Sequence, residues 1–220
     1  MDIARVNSSV ALGGGKLKIK YLMPGELDAL TNAFQDWFDA SRDKGRQRAI
    51  RGRYWLVYLV LRFTGARLGE VVRLDDSKDI DFRACELRIV TLKRRGDQPK
   101  RIVPVPEKVI SELATFLASE SQRRGQVFSV DPNNFRKHFY LRAKEAGILS
   151  EEINGITGRK SIHPHPHTLR HTRAIELIRS GVPVTAVQDL LGHSSLLTTA
   201  EYSRLSGFEV RNILKSNGLI

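Results

Sequence analysis

The stretch HTLRHTRAIELIRSGVPVTAVQDLLGHSSLLTTAEY, residues 167–202, decides how the rest of the chain is read. Ala174, Leu177 and Ile178 form the apolar face of one helix, and Gly181 caps it. Pro183 opens a second helix, in which Val184, Val187, Leu190 and Leu191 pack inward before Gly192 ends it. These are ordinary core helices; the polar groups set on them are not. His167 and Arg170 stand at i and i+3 and share a face, with His171 one turn on from His167. That face runs into the apolar stripe, so the polar groups fall at the rim of a core, where a cleft forms. Arg170 offers a planar fork of donors suited to two phosphate oxygens. A phosphodiester under nucleophilic attack gathers charge on both non-bridging oxygens, so a second arginine is expected from elsewhere. Arg67, just after the Thr64-Gly65 break, is the candidate, and Glu70 three residues on is placed to hold it by pairing.

Working outward, residues 1–23 read as an N-terminal tail with a Gly-Gly-Gly hinge. Pro24 opens a helix with Leu27, Leu30, Phe34 and Phe38 at helical spacing. RDKGRQRAIRGR, residues 42–53, holds six basic residues and one acidic, and reads as a surface that tracks phosphates. A second helix begins within it, with Leu56, Leu59, Val60 and Phe63 as its stripe, and ARLGEVVRL restarts a short one. The period then changes: Glu86–Thr91 and Arg101–Val105 read as two strands joined by the basic loop KRRGDQPK. Helices follow around 108–119 and 133–146, and 147–162 reads as a loop. The order gives an α+β domain, mainly helical, with a small antiparallel β-hairpin.

The formal net charge of +12 and pI of about 10.1 point to a polyanionic partner, with nucleic acid ahead of an anionic membrane surface. No apolar run approaches the roughly 18 residues of a membrane span, and the first residues lack a secretory signal. The single cysteine, Cys85, forms no internal disulfide and fits a reducing cytoplasm. Zinc is not indicated. His167 and His171 have helical ligand spacing, but Thr168 stands where a His-Glu-x-x-His site has its glutamate, and no cysteine pair helps. Taken singly, the other groups have plain readings: Tyr202 as packing, Gly192-His193 as a helix cap, Arg67 as a salt-bridge partner of Glu70, and His171 as a structural histidine.

Three separated motifs, in order and at suitable spacing, change that balance. TGARLGE resembles the first arginine box of the tyrosine recombinases, the phage integrase family of DNA strand-exchange enzymes. HTLRHT resembles their His-x-x-Arg box, and LLGHSSLLTTAEY their Gly-His followed by the tyrosine. The resemblance covers residues 24–205 as a catalytic domain and leaves 206–220 as a C-terminal tail or helix. It implies that Tyr202 attacks the scissile phosphate and becomes linked to the DNA 3′ end. Arg67 and Arg170 then grip the non-bridging oxygens, His167 assists proton transfer at the nucleophile, and His193 hydrogen-bonds the phosphate. Lys93 protonates the leaving 5′ oxygen, with Lys100 across the same loop as the alternative. No metal, ATP or other cofactor is required, and the sequence holds no P-loop. The implied partner is double-stranded DNA. The tail, with Leu205, Phe208, Ile213 and Leu214 as anchors, docks on a neighbouring subunit in a dimer or tetramer. Larger family members carry an N-terminal helical domain; here the chain is either a piece of such a protein or similar to the short members that invert DNA segments. The rival functions are a non-catalytic DNA-binding regulator that kept the fold, and a type IB topoisomerase. The first has no need of Tyr202.

Overall fold

A computed structural model describes residues 20–42, 45–92, 99–119, 124–153 and 160–192. Three of the six expected site residues, Lys93, His193 and Tyr202, lie outside them, as does the tail 206–220. The described elements are seven helices with a three-stranded and a two-stranded antiparallel sheet, the mainly helical α+β architecture expected from the sequence.

Helix α1 (Pro24–Asp39) starts where its proline dictates, and the Glu26 carboxylate accepts the Met23 N–H at 2.8 Å. Its four apolar positions are all buried. Helix α2 (Gly45–Thr64) is the centre of the molecule. Its sequence shows a stripe, but every residue from Trp55 to Leu61 is buried, because α1, α4 (Glu107–Ser119) and α6 (Pro166–Arg179) pack around it. Tyr58 stacks on Phe34 with ring centroids 4.2 Å apart, and its hydroxyl is satisfied by Thr31 at 2.7 Å. A helix enclosed on several sides needs apolar residues all round, which a single-stripe reading understates.

The short α3 (Leu68–Val71) leads to β1 (Ile80–Asp81), β2 (Glu86–Val90) and β3 (Lys100–Pro104), in the order β1-β2-β3. Leu87 pairs with Val103, and with Ile89 they turn one face of the sheet into the core. Lys100 and Ile102 lie on the other face and are exposed. Helices α5 (Pro132–Glu145) and α7 (Val184–Leu191) complete the helical part.

Three readings need correction. Residues 147–162, expected to be a loop, contain the strands β4 (Ser150–Ile153) and β5 (Lys160–His163), paired from Ser150↔His163 to Ile153↔Lys160. This hairpin buries no face, and Ile153 is 73% exposed, so no alternation marks it in the sequence. The packed unit also reaches back past Pro24. Tyr21 and Leu22 are buried, and the Leu22 N–H donates to the Thr172 hydroxyl at 2.9 Å, so the tail reading does not hold for these two residues. Finally, much of the basic stretch 42–53 turns inward. Arg48 lies over the Phe38 ring, Arg51 donates to the Trp37 carbonyl at 2.8 Å, and Arg53 donates to the Val127 carbonyl at 3.0 Å. Arg48, Arg51 and Arg53 thus brace α2, while Arg42 and Arg46 of the same stretch stay exposed.

Gly52 of α2 lies against Phe116 of α4. A Cβ built there would lie 1.9 Å from Phe116 Cε2, and that ring is itself held edge-on against Phe38. Gly52→Ala is therefore expected to destabilise the fold by about 1–3 kcal/mol despite its better helix propensity. Urea unfolding checks this; a variant as stable as the wild type would show that the two helices separate without cost.

Candidate active site

The first arginine of the site is placed by a helix break. Thr64 ends α2, and Gly65 adopts a left-handed φ of +63°. A side chain is excluded here on two counts, since a Cβ would also meet Leu191 Cδ2 at 2.5 Å. The chain reverses and Arg67 becomes the N-cap residue of α3 in extended conformation. Glu70 then does what its spacing predicts. Its carboxylate accepts the Arg67 backbone N–H at 3.0 Å and the Arg67 Nη1–H at 2.8 Å. The Glu70 side chain is wholly buried, whereas Arg67 keeps 20% of its side chain exposed. Burial pushes the Glu70 carboxyl pKa up, but the hydrogen bond and charge of Arg101 and the bonds from Arg67 outweigh it and leave the group below its ordinary value.

The second arginine comes from α6. Pro166 occupies the first turn, and the His165 N–H donates to the Thr168 hydroxyl at 3.1 Å, so Thr168 serves the helix start. Arg170 is 1% exposed, and its Nη1 donates to the Gly65 carbonyl at 2.9 Å across 105 residues of sequence. Arg170 is thus tied to the turn that delivers Arg67. His167, one turn earlier, is exposed, with its ring edge-on to His171 at 4.7 Å and nearly parallel to His165 at 6.3 Å.

Arg67 and His167 line one cleft of about 370 Å³, shared with Arg136 and Tyr140 of α5 and with His165. The structure therefore brings three of the sequence-derived residues, Arg67, His167 and Arg170, around one corner of the molecule. It also adds Arg136, Tyr140 and His165, which sequence reasoning passed over. The i, i+4 spacing of Arg136 and Tyr140 was the available signal, but it is common on any amphipathic helix.

Two further basic groups lie on β3, on opposite faces of the sheet. Lys100, the alternative to Lys93, pairs with the buried carboxylate of Asp79 at 2.6 Å on the outer side of the sheet. Arg101, read only as a strand residue, sits on the inner side with its side chain 10% exposed and its Nη2 bonded to Glu70 Oε2 at 2.7 Å.

The phage integrase family model matches residues 20–207. The chain belongs to this family. Among curated relatives it is 35% identical over 156 residues to a tyrosine recombinase of Thermosipho africanus, covering 71% of this chain and 51% of that protein. It is 34% identical over 179 residues to tyrosine recombinase XerD of Mycobacterium tuberculosis, covering 79% and 55%. The crystal structure of XerA recombinase superposes with a TM-score of 0.64 at 25% identity, covering 90% of this chain and 62% of that one. The chain thus spans about half the length of the curated relatives it matches.

Beside the cleft, burial lowers the His163 pKa to about 4, with the Lys20 charge and His165 adding to the effect. The unfolded chain takes up this proton near the ordinary value of 6.5, so between 6.5 and about 4 it binds more protons than the folded state. Stability should fall as pH drops through that window. His163→Gln should flatten the slope when the unfolding midpoint is followed with pH; an unchanged slope would remove His163 as its source.

Proposed function

We propose that the chain is the catalytic part of a tyrosine recombinase, which breaks and rejoins duplex DNA at specific sites through a covalent 3′-phosphotyrosine. The observation that carries the reading is the Arg67–Glu70–Gly65–Arg170 arrangement, in a chain whose family match runs through Tyr202. Two guanidiniums are held at one corner by contacts that do not depend on a ligand. Such preorganised cations stabilise the charge that develops on the non-bridging oxygens as the nucleophile attacks.

In this scheme the Tyr202 hydroxyl attacks phosphorus and the bond to the 5′ oxygen breaks. The phosphotyrosine retains the energy of the broken linkage, and a 5′ hydroxyl later reverses the step. His167, exposed in the cleft beside Arg67, handles the proton at the nucleophile, and His193 donates to the phosphate. Lys93 protonates the leaving oxygen. Its assignment over Lys100 is supported by the pairing of Lys100 with Asp79 on the outer sheet face. The catalytic domain is taken as 24–205 together with the packed residues just before it, flanked by an N-terminal tail and the 206–220 segment.

Double-stranded DNA is the partner that suits the net charge of +12. Self-association as a dimer or tetramer through the C-terminal tail is supported by an open groove of about 270 Å³ whose apolar lining includes Phe63, Val103, Val105, Leu177 and Leu190. A cytoplasmic location fits the lone cysteine; among the described residues no helix is long and apolar enough to cross a membrane.

Tyr202→Phe removes only a hydroxyl, so it should keep duplex binding and form no covalent adduct with DNA. Adduct at the wild-type level, seen on a denaturing gel, would take Tyr202 out of its role. Lys93 is tested by its leaving group. Protonation by a positioned donor is typically worth about 10²–10⁴ in rate, and an alkoxide needs it. A thiol, with a pKa of about 8.5, leaves unaided. Lys93→Ala should therefore cleave a normal strand slowly and a 5′-thio strand at close to the wild-type rate. If Lys100→Ala shows the sulfur rescue instead, Lys100 is the donor.

A further inference from the structure

Arg101 divides its donors among three separate parts of the molecule. Its Nε–H goes to the Leu190 carbonyl at 2.9 Å, its Nη1–H to the Thr91 hydroxyl at 3.0 Å, and its Nη2–H to Glu70 Oε2 at 2.7 Å. These acceptors lie in the last turn of α7, just past β2, and on α3. Each stands beside a group given a role above. Leu190 is three residues before His193, Thr91 two before Lys93, and Glu70 three after the Arg67 that it holds. The contact with α7 is close: a Cβ at Gly192, whose φ is +67°, would lie 3.0 Å from Arg101 Nη1. The Gly192 cap that ends α7 therefore lies against the guanidinium.

We propose that Arg101 is a positioning residue, whose buried guanidinium fixes three described points in one mutual geometry: Glu70, which holds Arg67, Thr91, two residues before Lys93, and Leu190, three before His193. The proposal rests on the recombinase reading. A planar fork is the group for this task, because three acceptors in different directions need donors at fixed angles. A lysine ammonium reaching down the same channel supplies a point charge and holds them less rigidly. The Arg101 side chain is 10% exposed and three of its donors are taken up within the protein. Its effect passes through Glu70 to Arg67, through Thr91 to the start of the loop, and through Leu190 to the end of α7.

Glu70 supplies a second, independent signature. Its carboxylate is wholly buried and is kept charged by its two arginines. Without Arg101, only Arg67 opposes the burial penalty, so the Glu70 pKa rises and the carboxyl takes up a proton at higher pH than in the wild type. A neutral Glu70 holds the Arg67 guanidinium less firmly. Loss of Arg101 should thus introduce an acid limb into the pH profile of adduct formation. A simple loss of packing would produce no such limb.

The test uses the full chain and a duplex recovered from a random-sequence pool by binding to the wild-type protein. Covalent adduct rate, duplex affinity and thermal midpoint are measured from mildly acidic to mildly alkaline pH. Arg101→Ala and Arg101→Lys should bind the duplex within about threefold of wild type but form adduct about 10²-fold more slowly, the scale of a misplacement near 1 Å. Arg101→Ala should lose further rate as pH falls, and adding Glu70→Gln should remove that limb. If Arg101→Ala does not fold, Arg101→Lys carries the test through its adduct rate and affinity. An adduct rate within about threefold of wild type, a rate loss matched by an equal loss of affinity, or an Arg101→Ala pH profile parallel to the wild type's overturns the proposal. A wild-type protein that forms no adduct overturns the recombinase reading, and the role of Arg101 with it.

Discussion

The site depends on the turn at Gly65. Helix α2 is enclosed along most of its length and ends there in a left-handed turn that only glycine fits, because the space a side chain would need belongs to Leu191 of α7. The left-handed turn leaves its carbonyl facing α6, where Arg170 Nη1 takes it at 2.9 Å. Two residues later the chain emerges as the N-cap of α3 and Arg67 is in place. One glycine thus sets where the central helix ends, what the buried guanidinium of α6 binds, and where the second guanidinium stands.

Most of the helical frame is legible in the sequence, because Pro24, Gly181 and Gly192 punctuate strong apolar periodicity. The exceptions have physical causes. The stripe on α2 gives its existence but not its all-round burial, which is decided by neighbours distant in sequence. The β4–β5 hairpin has no fully buried residue and so leaves no alternating pattern, and β1 has only two residues. Tyr21 and Leu22 read as tail because their partners, Thr172 and the apolar residues of α6 and α7, lie about 150 positions away. Of the site, the Arg67–Glu70 pair follows from i, i+3 spacing, and the His-x-x-Arg box from helical geometry. The depth of Arg170 and the three-way reach of Arg101 do not, since both are bonded to backbone carbonyls, which no residue pattern encodes.

The charge of the chain also divides in a way composition hides. Arg53, Arg62, Arg101 and Arg170 are engaged with carbonyls or carboxylates of the protein itself, and Arg48 and Arg142 lie over aromatic rings. Arginine here serves as a structural donor that bridges elements, as its fork and weak hydration suit it to do. Arg67 and Arg136, by contrast, line the cleft.

The bond between Arg170 and Gly65 spans 105 residues, and that between Arg101 and Leu190 spans 89. Contacts of such long range form late, after the entropy of closing the intervening chain has been overcome. During synthesis the corner that holds Arg67 cannot be completed until α6 has left the ribosome, nor the Arg101 contacts until α7 has followed. A nascent or truncated chain that stops short of α6 therefore carries the first arginine without its companion. The order of translation itself leaves the arginine corner open until both helices are present.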